Sequence, residues 1–340
     1  MLPYILRRLA LLVVVLVGMS AITFALTHIV PGDPARLLAG PHARQEQVDA
    51  LARLYGLDRP LPEQYWIYLT GLLRGDLGMS LTTRRPVLDD LLQYLPATAE
   101  LAFAALALTV LLGIPLGVLA ALRHGRATDH AVRFLAVAGV SLPAFWLGLG
   151  LQIIFFQQLS LLPIGGRLGS LDAPPARVTG AYLVDALLAA DTATFAAAAG
   201  HLVLPAITLA AGSLAVVTRM MRASVLETLD ADYVRTARAK GLSERVVLGR
   251  HVLKNALIPT ITVLGLQAGT LLAGAVLVEA VFSWPGIGLY TVRAISNLDY
   301  AAVMGVTLLV SAIYVLANLL VDLAYVVLDP RIAEQGTMRT

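Results

Sequence analysis

The sequence has no cysteine and little charge, and each absence excludes a class of protein. Without cysteine the chain can form no disulfide, no thiolate metal site and no cysteine nucleophile. Charged residues make up 14% of the 340 residues, against about 25% in an ordinary soluble domain. Hydrophobic residues make up 58%, and the mean hydropathy is +0.78. We therefore predict an integral membrane protein.

Lysine is almost absent as well, and this bears on the energy source. The chain has only Lys240 and Lys254, and neither follows a glycine. A phosphate-binding P-loop needs the sequence Gly-Lys-Ser/Thr, so we predict that the chain itself binds no ATP and is not an enzyme. The six histidines lie in separate segments, which predicts no metal site. The net charge of +3 comes from basic residues beside apolar runs, which indicates membrane lipid as a partner and not nucleic acid.

Long apolar runs dominate what the sequence does contain. A helix needs about 20 apolar residues to cross a bilayer. Six runs qualify, and they lie at roughly 9–29, 97–122, 134–157, 200–218, 259–281 and 301–327. The stretch 181–199 is apolar too, but Asp185 and Asp191 interrupt it, and we predict an interfacial helix there. The predicted fold is all-α and polytopic, with six transmembrane helices.

The distribution of lysine and arginine predicts the orientation of these helices. With the N-terminus inside, fifteen basic residues fall in the inner segments and three in the two shorter outer loops. Cytoplasmic loops carry the excess of basic residues, so both termini are predicted to be cytoplasmic. Three regions follow: 1–30 with the first span, 31–95 as an external helical lobe, and 96–340 as a core of five spans.

The most basic cytoplasmic stretch, 219–255, predicts two helices around a glycine. Asp232 favours the start of a helix, Lys240 favours its end, and Gly241 can adopt the left-handed conformation that stops it. A second helix is predicted to run to Pro259. Such an exposed, bent pair of helices predicts docking on another protein. The alternative is that its basic residues bind anionic lipid, at about 1 kcal/mol each.

Nine short motifs occur in order along nearly the whole chain. They are PGDPA (31–35), GDLGMS (75–80), SLPAFWLGL (141–149), LPAITL (204–209), DYVRTARAKGL (232–242), NALIPT (255–260), VEAVFSWPGIG (278–288), NLLVDLAY (318–325) and LDPRI (328–332). With these motifs the chain resembles the inner-membrane permease subunits of binding-protein-dependent ABC importers, in the dipeptide/oligopeptide/nickel branch. The resemblance implies the type I importer permease fold in a bacterial inner membrane.

The resemblance also implies a coupling helix that docks on an ATPase subunit. Its residues here are Asp232, Tyr233, Val234, Arg235, Thr236, Ala237, Arg238, Ala239, Lys240, Gly241 and Leu242. The general importer pattern begins Glu-Ala-Ala, with a glycine four residues after the second alanine. This chain has Arg235, Thr236 and Ala237, followed by Gly241, and so departs from the pattern at its first two positions.

The implied partners are a second, homologous permease, two ATPase subunits that use ATP and magnesium, and an extracytoplasmic substrate-binding protein. No cofactor is expected on this chain. Short peptides are the first expectation for the substrate; nickel or another small solute of the same family is the alternative. An independent secondary transporter is a further alternative. Proton-coupled carriers keep ionisable groups deep in the membrane, whereas Glu100 and Glu279 lie near the outer side and Asp322 near the inner side.

Polar side chains in or beside the spans are candidates for the translocation pathway or an outer gate. They are Gln152, Gln267, Glu279, Trp284 and Asn318. Polar residues also hold spans together through hydrogen bonds, so each has a structural alternative. For Glu279 and Trp284 a gate and a structural hydrogen bond fit equally.

Overall fold

The computed structural model describes residues 2–29, 36, 43–54, 56, 58–273 and 275–328. These residues are mostly helical and contain no β-strand apart from one isolated bridge between Met79 and Pro86. The helices are α1 (Leu2–Ile29), α2 (Gln45–Leu54), α3 (Leu61–Leu73), α4 (Val87–Leu108), α5 (Ile114–Leu122), α6 (Ala127–Ser141), α7 (Ala144–Leu151), α8 (Tyr182–Leu188), α9 (Thr192–Leu229), α10 (Asp232–Ala239), α11 (Glu244–Val246), α12 (Lys254–Ala273), α13 (Val276–Val281), α14 (Ile287–Ser296) and α15 (Tyr300–Leu328). Within the described ranges, three π-helical segments continue neighbouring α-helices, at Thr109–Gly113, Gln152–Gln158 and Val247–Leu253.

The all-α prediction is confirmed for the described residues, but the count of six spans is not. In the described part of the chain, three helices are long and apolar enough to cross a membrane: Val87–Leu122, Thr192–Leu229 and Tyr300–Leu319. A bent pair of helices, Ala127–Ser141 and Ala144–Gln158, could provide a fourth span. In the first predicted span, the apolar helix Ala10–Ala25 is shorter than the 18 residues required of a candidate span. The PGDPA motif at 31–35 and the side chain of Asp322 lie outside the described part of the chain.

The predicted span at 134–157 is not one straight helix. It is bent by 108° between α6 and α7. The cause is Pro143, because a residue before proline is driven out of the helical region. Leu142 accordingly has φ −85° and ψ 128°, and Pro143 has φ −59° and ψ 134°. The predicted span at 259–281 is likewise divided between α12 and α13, and α12 runs through Pro259 instead of beginning after it.

The prediction of one continuous helix at 181–199 is wrong, because these residues belong to two separate helices. The chain leaves α8 at Leu188 and passes through Ala190, which has φ 54°. Asp191 then caps the next helix, because its Oδ1 accepts a hydrogen bond from the Thr194 backbone N–H at 3.0 Å. Residues 192–199 therefore belong to the long helix α9.

The chain divides into two compact units, and the first comprises Met1–Leu95 and Tyr290–Ala312. In it α1 packs on α3 through aromatic rings, with the Phe24 centroid 5.4 Å from that of Tyr65. The GDLGMS motif ends on Ser80, whose hydroxyl donates to the buried carboxylate of Asp299 at 2.6 Å. This bond connects two segments that lie 219 residues apart in the sequence.

The second unit comprises Pro96–Leu289 and Ile313–Thr340, and α9 is its central helix. Gly117 on α5 allows a close approach to α9, because a Cβ atom there would lie 2.7 Å from the Met221 Cβ. Gly139 on α6 similarly faces the Ala211 carbonyl oxygen, which a Cβ would approach to 3.0 Å. Small residues at these two crossings let the helix backbones pack closely, as is common in membrane helices.

Candidate functional site

The predicted coupling segment contains a short helix, α10, that starts and ends where its residue types favour. Ala231, just before it, is extended, with φ −68° and ψ 143°. Gly241 follows it with φ 76°, a conformation that glycine adopts without strain. The Gly241 N–H donates to the Arg238 carbonyl oxygen at 2.9 Å, which closes the last turn. The chain then re-enters a helix at Glu244.

The inner face of α10 is anchored by two buried side chains, Val234 and Ala237. Both belong to an apolar cluster built from α5, α9, α10, the π-helical segment Val247–Leu253 and α12. Its other buried members are Ala121, Met221, Val225, Val247, Val252 and Ala256. Because protein interiors are close-packed, α10 cannot move without displacing these neighbours.

The outer face of α10 and its following turn is exposed. Of the eleven predicted coupling residues, all except Val234 and Ala237 are exposed. Tyr233 shows 46% of its surface, and Leu242 and Val246 are also exposed apolar side chains. Across the glycine turn, Arg238 Nε and Glu244 Oε1 lie 2.9 Å apart. The segment thus presents apolar and charged groups together on a rigidly supported surface.

A salt bridge stabilises the same end of the unit. Arg222 of α9 donates to both carboxylate oxygens of Asp129 on α6, from Nε at 2.7 Å and Nη2 at 2.8 Å. Asp129 is 1% exposed and also accepts a hydrogen bond from the Gly125 N–H at 3.0 Å. Bidentate geometry makes this one of the stronger polar links available, so α6 is held firmly to α9.

Glu279 and Trp284 lie together in a buried hydrogen-bonded cluster. The Glu279 carboxylate accepts from the Thr98 hydroxyl at 2.7 Å and from the Leu289 N–H at 3.0 Å. Trp284 donates from Nε1 to the Ala97 carbonyl oxygen at 2.8 Å. Both side chains are fully buried, and these bonds tie the 282–286 loop and the first turn of α14 to α13 and α4. A positioning role suits this geometry, and their assignment to an outer gate stays a prediction.

Gly286 is the residue that lets this loop close over the acid. A Cβ atom at that position would lie 2.5 Å from the Glu279 carboxylate oxygens, well inside van der Waals contact. The VEAVFSWPGIG motif therefore encodes a specific fold of the chain around a buried carboxylate.

The remaining candidate pathway residues do not converge on one site in the described chain. Gln152 donates from Nε2 to the Ile164 carbonyl oxygen at 2.7 Å and to that of Val281 at 3.2 Å. Gln267 accepts from the Ser213 hydroxyl at 3.1 Å, linking α12 to α9. Asn318 lies half-buried on α15. The hydrogen bonds of Gln152 and Gln267 fit the structural alternative, and a pathway role for all three stays a prediction.

Sequence reasoning missed a buried ion pair between Glu100 and Arg167. Arg167 Nη2 lies 2.6 Å from Glu100 Oε2, and the two side chains are 7% and 6% exposed. Arg167 also donates to the Gly180 carbonyl oxygen at 2.9 Å, and its Cζ lies 3.5 Å from the Tyr182 ring centroid. The only signals were an acid in an otherwise apolar run and an arginine in the loop that the sequence predicts to be external. Neither residue indicates the other as its partner.

Asp185 is a second polar centre whose role was not apparent. Its carboxylate accepts from the Thr179 N–H at 2.7 Å, the Thr179 hydroxyl at 2.7 Å and the Gly180 N–H at 2.9 Å. Burial raises the pKa of this carboxyl group, but the hydrogen bonds outweigh it, so the net pKa is lowered. Asp185 thereby holds in place the loop that contains Gly180, whose carbonyl oxygen accepts the hydrogen bond from Arg167.

Comparison with known families decides the class. The family model described as "Binding-protein-dependent transport system inner membrane component" matches residues 113–334, more than half of the chain. The chain belongs to this family. A second model, for the N-terminal part of such membrane components, matches residues 1–102. The protein is therefore an inner-membrane transport component and not a catalytic subunit, as the motifs indicated.

Individual relatives match over nearly their whole length. The probable D,D-dipeptide transport system permease protein of Escherichia coli K12 is 52% identical, with 96% of each chain covered. The di/tripeptide permease of Pseudomonas aeruginosa UCBPP-PA14 is 48% identical, with 98% of this chain and all of the relative covered. A glutathione permease of Escherichia coli O6:H1 is 38% identical, with 98% and 99% covered.

Proposed function

We propose that this chain is the permease subunit of an ATP-driven importer that moves short peptides into the cytoplasm. Relatives at 44–52% identity carry names of dipeptide or di/tripeptide permeases. The glutathione permease at 38% identity also takes a peptide-like solute, by its name. Chains of two or three amino acids are thus the expected substrates.

The proposed topology has six spans, both termini in the cytoplasm and an external helical lobe at 31–95. It rests on the apolar runs and on the ratio of fifteen inner to three outer basic residues. The bent pair α6–α7 would serve as one span, and α12 with α13 as another. A second, homologous permease would complete the pathway, and a substrate-binding protein would dock on the external side.

The geometry of α10 is the observation that carries the proposed mechanism. The helix exposes Tyr233 and its neighbours while Val234 and Ala237 lock it into α5, α9 and α12. A partner that pushes on the exposed face would therefore move the long helices with it. Two ATPase subunits, which bind ATP and magnesium, would supply that force, since neither lysine of this chain lies in a P-loop. The pathway would alternate between outward and inward access.

Substituting Gly241 tests the coupling proposal in reconstituted complexes with both permeases and the ATPases. Gly241→Pro demands φ near −65° where the chain has 76°, and it removes the N–H that closes α10. We expect membrane insertion to persist, peptide uptake to fall at least about tenfold, and ATP hydrolysis to lose its dependence on the binding protein.

Gly249→Ala is the matched control. Gly249 lies in the same region without a positive φ, and a Cβ atom there would meet nothing within 4 Å. We expect wild-type uptake from this variant. Wild-type uptake by Gly241→Pro would contradict the coupling role of α10.

A further inference from the structure

Several exposed arginines lie at one end of the α6–α9 pair and outside the coupling surface. Arg123, Arg126 and Arg133 belong to the turn before α6 and to α6 itself, and Arg219 belongs to α9. Among the described residues, no carboxylate lies within 4.0 Å of any of these four guanidinium groups. They therefore have charge available for an external anion.

The local acid cannot compensate these charges. Asp129 is the only acidic residue in 123–133, and it is buried in the bidentate salt bridge with Arg222. The negative charge of Asp129 is thus neutralised by Arg222 and does not offset the charges of the other arginines. The surface around the pair keeps the positive charge of the remaining arginines.

The packing of α6 on α9 places two of these arginines at the same level. Asp129 meets Arg222, and ten residues further along α6 Gly139 faces Ala211, eleven residues back along α9. These contacts define one antiparallel register. Arg133 follows Asp129 by four residues and Arg219 precedes Arg222 by three, so the two arginines lie within one helical turn of the same height.

An apolar surface begins directly beside Arg133. Phe134 is 72% exposed, Leu135 64% and Val137 55%. A soluble protein partner would leave such side chains in water or bury them against its own apolar surface, whereas a bilayer covers them with hydrocarbon. A cationic rim next to an apolar face matches the two ends of a phospholipid.

We propose that Arg133 and Arg219 bind the phosphate of an anionic phospholipid, and that its acyl chains lie along Phe134, Leu135 and Val137. Arg126, about two turns below Arg133, strengthens the positive field. Basic pockets between transmembrane helices bind such headgroups in other membrane proteins. This proposal does not depend on the direction of transport or on the substrate proposed above.

Lipid retention by the purified full-length chain tests this site. The protein is equilibrated with equal amounts of phosphatidylglycerol and phosphatidylcholine, and bound lipid is counted by native mass spectrometry. We expect the wild type to retain phosphatidylglycerol selectively. Each arginine near the membrane surface is worth about a fivefold change in affinity, so Arg133→Gln with Arg219→Gln should lower that selectivity about twenty-five-fold.

Two further variants separate charge from folding. Arg133→Lys with Arg219→Lys keeps both charges and should retain most of the selectivity. Arg59→Gln with Arg74→Gln removes two exposed arginines elsewhere in the chain and should leave it unchanged. Unchanged selectivity in the Arg133/Arg219 glutamine pair, or an equal loss in the Arg59/Arg74 pair, would overturn the proposal.

The occupant itself is identified by cross-linking in the assembled transporter. The chain has no cysteine, so Val137→Cys, at an exposed position one helical turn after Arg133 on the same side of α6, takes a single photoreactive label. Cross-links to phospholipid support the site. Cross-links to an ATPase subunit or to a second permease in place of lipid would refute it. Neither assay requires ATP or peptide, so a failed transport proposal would leave these outcomes interpretable.

Discussion

The buried pair of Glu100 and Arg167 provides the sharpest test of how the loop between Gln158 and Tyr182 is held. Arg167→Met keeps the apolar length of the side chain but leaves the Glu100 carboxylate in a buried site without its cation. Removing one partner of a buried ion pair typically costs about 3–5 kcal/mol, and at 7% and 6% exposure little water is present to reduce that cost. Glu100→Gln should be similarly costly, because it leaves a buried guanidinium unpaired.

The double variant, Glu100→Gln with Arg167→Met, separates the energy of the ion pair from that of the other contacts of the two side chains. Glutamine at position 100 can still accept the Leu183 N–H, which the carboxylate now binds at 2.7 Å. With both charges gone, the main remaining losses are the hydrogen bond to the Gly180 carbonyl oxygen and the stacking on Tyr182. We therefore expect the double variant to cost about 1–3 kcal/mol, much less than the sum of the single variants.

The measurement is unfolding of the purified chain in mixed micelles, followed by tryptophan fluorescence. Arg250→Met, an exposed arginine of the same unit, serves as the control and should stay within about 0.5 kcal/mol of the wild type. If the two single effects add to within about 0.5 kcal/mol, the side chains do not interact and the reasoning is wrong.

Two further predictions concern the glycine and the acid that shape the same unit. Gly286→Ala places a methyl carbon 2.5 Å from the Glu279 carboxylate, so we expect a loss of thermal stability and of folded yield. Gly150→Ala, where a Cβ meets nothing within 4 Å, should change neither, and equal behaviour of the two variants would contradict this. Asp185 has a lowered pKa when folded, so its stabilisation is present above the unfolded value of about 3.9 and is lost as pH falls through the folded value. Asp185→Asn should therefore lower the stability at pH 7 and reduce the loss of stability between neutral and acid pH. If thermal melts show the same loss at acid pH in the variant and the wild type, this prediction is wrong.

The coupling region shows how far local sequence reasoning reaches. The α10 helix, its start after Ala231 and its left-handed stop at Gly241 follow from residue types within a dozen positions. The bend at Pro143 has an equally local cause, yet an apolar run that spans it predicts one straight helix. Hydropathy averages over a window, and so it does not register a single residue that breaks the helix.

Residue by residue, the candidate pathway was harder to predict for a different reason. Gln152 and Glu279 are polar residues in apolar runs, which marks them as exceptional without saying what they face. Their partners, Val281 and Thr98, lie 129 and 181 residues away in the sequence. No local sequence pattern predicts contacts between residues so far apart, whereas the structure shows them directly as hydrogen bonds.

The sequence by itself determined the class of this protein: a helical membrane component with no nucleotide-binding loop and one basic, bent segment. It could do so because apolar run length, loop charge and missing residue types act locally, and a bilayer leaves helices as one of very few ways to satisfy a buried backbone. Only the tertiary structure decided which charges are neutralised, as Asp129 is by Arg222, and which stay exposed, as Arg133 and Arg219 do. That division depends on which helices cross and in what register, and the register is set by glycines and small residues whose contacts lie on other helices.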